Sequence, residues 1–109
     1  MSDYHEHSDL SLLPELEKLD GEGFAGFTAL DKTVGRTNGA IPPKYRELIA
    51  LGVALTTQCP YCLDVHSTNA KKAGATREEL AETVHIAAAL RAGAALTHGL
   101  LALKIYDRA

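Results

Sequence analysis

The chain lacks the basic excess that a grip on nucleic acid requires: eleven Lys and Arg face fourteen Asp and Glu, a net charge of −3. The acidic surplus is local. Asp3, Glu6 and Asp9 carry three negative charges, so residues 10–109 sum to zero. No basic segment followed by an apolar stretch opens the sequence, and a cytoplasmic location is expected. No apolar–polar alternation exceeds four residues, which excludes a half-buried sheet. No flavin, haem or nicotinamide motif is visible, so no bound cofactor is expected. Cysteine is scarce as well. The chain has two, three positions apart in Cys59-Pro60-Tyr61-Cys62. A bridge across so short a loop constrains the unfolded chain little, so the pair reads as redox chemistry or metal binding.

What is present is the material of one globular domain: 109 residues, 46% hydrophobic and 23% charged. Residues 1–9 are polar and aperiodic and read as a disordered tail before a single domain over 10–109. Leu10 to Leu19 has the spacing of a short helix, residues 20–26 that of a glycine-rich turn, and Phe24 to Val34 that of a second helix. After a loop at 35–43, Pro42 to Thr57 reads as a buried helix. The next helix opens at Cys59-Pro60 and ends before Gly74. Thr76 with Glu79 forms a capping box that starts a long helix from Arg77 to Tyr106, with a bend expected near Ala92-Gly93. That helix is rich in alanine and apolar on nearly every side. Arg91, Thr97 and His98 within it argue against a membrane span, and its surplus apolar surface predicts contact with another subunit. The fold class is all-α.

Chemistry concentrates at the cysteine pair. Positions i and i+3 at a helix start share a face, so the sulfurs can reach bonding distance, and unpaired N–H groups there stabilise a thiolate. His66 lies one turn beyond Cys62 and could take its proton. Glu47, twelve residues before Cys59, could orient that imidazole if the two helices pack against each other. Nucleophile, base and orienting carboxylate form the pattern of an activated nucleophile.

The stretch Tyr45-Arg46-Glu47-Leu48 through Gln58-Cys59-Pro60-Tyr61-Cys62 to His66, then Ala73-Gly74-Ala75-Thr76 and Glu79, resembles the carboxymuconolactone decarboxylase/AhpD-like alkylhydroperoxidase family. The resemblance covers about residues 40–105 and implies an all-helical bundle associating as trimers or hexamers. It also implies a peroxidase or disulfide-reductase activity carried by Glu47, Cys59, Cys62 and His66. The partners it implies are a hydroperoxide or disulfide substrate and an external dithiol or protein reductant. Some members carry histidine just before the second cysteine, where this chain has Tyr61.

Two further readings stand beside this one. Cys59, Cys62 and His66 could instead ligate zinc in a non-catalytic assembly module, with Glu47 or His85 as fourth ligand. The family name also admits a lactone decarboxylase, an activity that would survive loss of both cysteines. His85 and His98 read as hydrogen-bonded core or interface histidines, and His5-Glu6-His7 as part of the tail. Within the redox reading two rules compete over which sulfur attacks. The helix dipole, worth about 0.3–1 kcal/mol, favours Cys59. A charged hydrogen bond from His66, worth about 1.5–3 kcal/mol, favours Cys62. The larger effect, with the resemblance, makes Cys62 the expected thiolate, His66 its base, Glu47 the support of His66 and Cys59 the resolving thiol.

Overall fold

Helix starts and stops follow local chemistry in the computed structural model, which describes residues 4–109. Helix α1 spans Leu13–Leu19, α2 Gly21–Val34, α3 Pro43–Thr57, α4 Pro60–Lys72 and α5 Arg77–Arg108; no strand occurs among the described residues. Proline occupies the first turn of α3 and of α4, where a missing N–H costs nothing. At the end of α3, Gln58 adopts the left-handed conformation (φ 57°, ψ 48°), which reverses the chain within two residues. The Cys59 N–H then donates to the Ala54 carbonyl at 3.2 Å, and α4 returns against α3. Gly74, at φ +95°, ends the next segment where a side chain would be strained. The capping box closes as expected: Glu79 N–H donates to Thr76 Oγ1 at 3.1 Å and Thr76 N–H to Glu79 Oε1 at 2.8 Å.

Helix α3 is the centre of the molecule, packed on both α4 and α5, with Leu51, Ala54, Ala70 and Ala87 buried between them. Two polar ties fix α5 along it. Lys44 Nζ meets Glu79 Oε2 at 3.0 Å near one end, and Arg91 Nη1 donates to the Thr56 carbonyl at 2.5 Å near the other. Helix α5 has the length and apolarity of a membrane-crossing helix, yet Arg91 binds it to its own domain.

Three expectations for the ends and turns change. Residues 20–26 are not a turn: Asp20 caps α2 by accepting the Gly23 N–H at 3.1 Å, and the helix runs from Gly21. Helix α5 ends later than expected, at Arg108 rather than Tyr106. The expected tail of residues 1–9 falls partly outside the described residues, but His7–Leu12 form a 3-10 helix leading into α1. Its capping box pairs Glu6 with Asp9, and the segment packs on α4.

Candidate active site

Each site residue is placed by the α3–α4 reversal. Cys59 is the N-cap of α4, and its Sγ accepts the backbone N–H of Cys62 at 3.2 Å. Packing of α4 on α3 brings Glu47 opposite His66, where Oε2 and Nδ1 lie 2.5 Å apart with both side chains partly buried. A carboxylate acceptor holds the ring proton on Nδ1 and leaves Nε2 as the basic nitrogen. Among the described residues Glu47 has no other ionic partner: Lys44 pairs with Glu79, and Arg46 donates to the backbone carbonyls of Ile41 and Val34. The carboxylate thus bonds to a histidine rather than standing as a solvated helix charge.

The expected bond between His66 and Cys62 is not formed among the described residues. The imidazole is engaged by Glu47, while the Cys62 thiol bonds to Cys59. This redistributes the charge. Hydrogen bonds from the Cys62 thiol, and then from the Cys62 and Tyr61 backbone N–H groups, hold Cys59 below the usual thiol range. Cys62 is pushed up to about 11 because its proton serves Cys59, with burial and the Cys59 charge acting in the same direction. The N-cap position and the neighbouring thiol thus favour negative charge on Cys59 over Cys62. The imidazole, bonded to Glu47, adds no hydrogen bond to either sulfur here.

Cys62, His66 and Glu47 all line a cavity of about 400 Å³, together with Val34, Ile41, Ile49 and Val53. Cys59 is not among the lining residues. The cavity is an apolar recess with a thiol, an imidazole and a carboxylate in its lining. For the zinc alternative Cys59, Cys62 and His66 would have to converge, and no group of three or more His, Cys, Asp or Glu among the described residues is arranged to hold a metal. His85 and His98 stand apart from the site. Both are exposed on α5, and His85 Nδ1 is 3.0 Å from its own Ala81 carbonyl.

Composition alone did not reveal several residues around the motif. Tyr61, between the cysteines, donates its hydroxyl to Asp9 at 2.9 Å, and His7 pairs with Asp64 at 2.7 Å. The N-terminal segment is thereby fastened to the first turns of α4. The signal for it, polar residues in an aperiodic stretch, is the same as that of a tail. The Asp31 carboxylate of α2 adds negative charge near Cys62.

This is a helical protein with a thiol, a histidine and a carboxylate gathered at one apolar recess and a second cysteine bonded beside them. A family model, that of the carboxymuconolactone decarboxylase family, matches residues 21–104, and the chain belongs to that family. Uncharacterized protein 4 in the cox locus of Paracoccus denitrificans is 43% identical over 81 residues, covering 74% of this chain and 72% of that protein. An uncharacterized protein of Haemophilus influenzae is 39% identical over 108 residues, 97% of this chain and 95% of that one. The crystal structure of an apo carboxymuconolactone decarboxylase family protein from Legionella pneumophila superposes with a TM-score of 0.68 at 34% identity, covering 91% of this chain and 88% of that one.

Proposed function

We propose that the protein is a cysteine-based peroxidase of the AhpD-like kind, reducing hydroperoxides through the Cys59–Cys62 dithiol and working in the cytoplasm. The observation that carries this reading is the shared cavity: Cys62, His66 and Glu47 line the same apolar recess, and Cys59 accepts the Cys62 N–H beside it. Cys62 is the sulfur that a substrate in the cavity would meet. As it attacks the terminal peroxide oxygen, its proton passes to His66, whose developing charge Glu47 stabilises. The O–O bond breaks, His66 returns the proton to the leaving alkoxide, and Cys62 is left as a sulfenic acid. The Cys59 thiolate then displaces hydroxide from that sulfur, forming the disulfide; a solvent proton completes water. Two electrons have gone from the dithiol to the peroxide. An external dithiol or protein reductant returns them by exchange. The same poised pair suits reduction of a partner disulfide, with the Cys59 thiolate as its entry point.

The assembly that accompanies this reading is a homo-oligomer, a trimer or a hexamer, in which the exposed apolar face of α5 is covered. To test the chemistry, the reduced protein is treated with hydroperoxide and weighed intact. A loss of about 2 Da that Cys62→Ser abolishes supports the dithiol peroxidase. Unchanged mass, or activity surviving loss of both cysteines, would refute it.

A further inference from the structure

One cationic side chain in the cavity wall is unused by this chemistry. Arg46 precedes Glu47 on α3, and its charge meets no carboxylate among the described residues. Its donors go to backbone carbonyls instead. Nε donates to Ile41 at 2.8 Å and Nη1 to Val34 at 2.7 Å. These two acceptors lie at opposite ends of the loop that joins α2 to α3, and both residues also line the cavity. A single guanidinium therefore pins both ends of the loop beside the redox residues. The planar fork suits this task, since it reaches two carbonyls at once and needs no counter-charge.

Gly39, in the middle of the same loop, is shaped to the latch. A Cβ there would overlap the Arg46 guanidinium and crowd Arg36 Nε at 3.1 Å, so a side chain at this position would push the guanidinium from its seat. Among the described residues no helix-to-helix packing holds α2 against α3, which leaves Arg46 as the polar tie between the end of α2 and the site.

We propose that Arg46, seated on Gly39, is a specificity-determining residue: by holding Val34 and Ile41 in the cavity wall it gives the pocket its preference for an apolar body attached to the reacting group. Arg46 acts through those two residues and is a positioning residue, not a catalytic one. The proposal rests on the cavity being the place where Cys62 meets its reactant. Loss of apolar wall contacts changes discrimination on the order of tenfold.

Two ratios test it. The first is kcat/KM for cumene hydroperoxide over that for hydrogen peroxide, read in the full-length protein. The second needs no peroxide chemistry: the rate of Cys62 alkylation by N-phenylmaleimide over that by iodoacetamide, in a Cys59→Ser background. Arg46→Met is expected to lower both ratios about tenfold, the first through KM rather than kcat. Gly39→Ala, which displaces the guanidinium without removing it, is expected to lower them in the same direction. Arg46→Lys, able to reach one carbonyl only, is expected to fall between. If Arg46→Met does not fold, the other two variants decide. Ratios unchanged, or both members of each ratio falling in equal proportion, would overturn the latch. A wild-type protein inert to both peroxides would sink the peroxidase reading, while the alkylation ratio would still judge Arg46.

Discussion

Cys59 and Cys62 are shifted in opposite directions because each is placed by a different constraint. Cys59 sits at the N-cap, where its sulfur takes the Cys62 N–H and gains the thiol hydrogen bond. Cys62, pushed up by burial and by its neighbour, lines the cavity. The direction of each shift has a measurable consequence. Cys59→Ser removes the acceptor that holds the proton, so Cys62 should fall from about 11 toward the ordinary 9.0. Cys62→Ala removes the donor, so Cys59 should rise toward its ordinary 9.0. Ultraviolet thiolate absorbance against pH reads both; shifts of opposite sign would show that the two thiols are not hydrogen-bonded to each other. Much of this site was legible in residue spacing. A carboxylate and a histidine on consecutive helices, with a C-x-x-C at the turn between them, announced the Glu47–His66 pair. The resting charge was not legible, because it depends on whether His66 bonds to Cys62 or to Glu47, and spacing permits both. Arg46 was invisible for a related reason: its acceptors are backbone carbonyls, which leave no side-chain signature.

Among the helices, α3, α4 and α5 were readable because their ends are written in local chemistry: proline in first turns, Gly74 at a left-handed stop, and the Thr76–Glu79 box. The N-terminal third was less so. Asp20 alone converts a glycine-rich stretch into α2, and the segment before α1 is fastened by Tyr61 and Asp64, more than fifty residues away. Glu79 links two elements, capping α5 and pairing with Lys44 of α3. Thr76→Ala should cost about 1 kcal/mol in denaturant unfolding at neutral pH. Glu79 adds a pH signature. The Thr76 N–H, then Lys44, holds its carboxyl below the ordinary 4.5, so its folded pKa is depressed. Its contribution is therefore present above 4.5 and lost as pH falls through the folded value. Glu79→Gln should destabilise at neutral pH and converge with the wild type in acid; a gap that persists in acid would contradict the assignment.

As a whole the single chain is open. Its radius of gyration is 17.9 Å, against about 13 Å for a compact chain of this length. Leu96, Leu100 and Leu103 on α5 and Phe27 and Leu30 on α2 are all more than half exposed, an apolar surface beyond what a soluble monomer ordinarily shows. A closed assembly of identical chains covers such faces without open-ended growth. Light scattering should give a multiple of 11.6 kDa, and Leu100→Asp should shift it toward the monomer. A wild-type monomer at micromolar concentration would contradict the assembly. The proposed peroxidase chemistry turns on which sulfur meets the peroxide. Trapping the sulfenic acid with a dimedone-type reagent after a single dose of hydroperoxide answers it. Cys59→Ser should accumulate label on Cys62, with Cys62→Ser almost unlabelled. Label on Cys59 in Cys62→Ser, and none on Cys62 in Cys59→Ser, would mean that the capped thiolate attacks and the cavity wall does not choose the nucleophile.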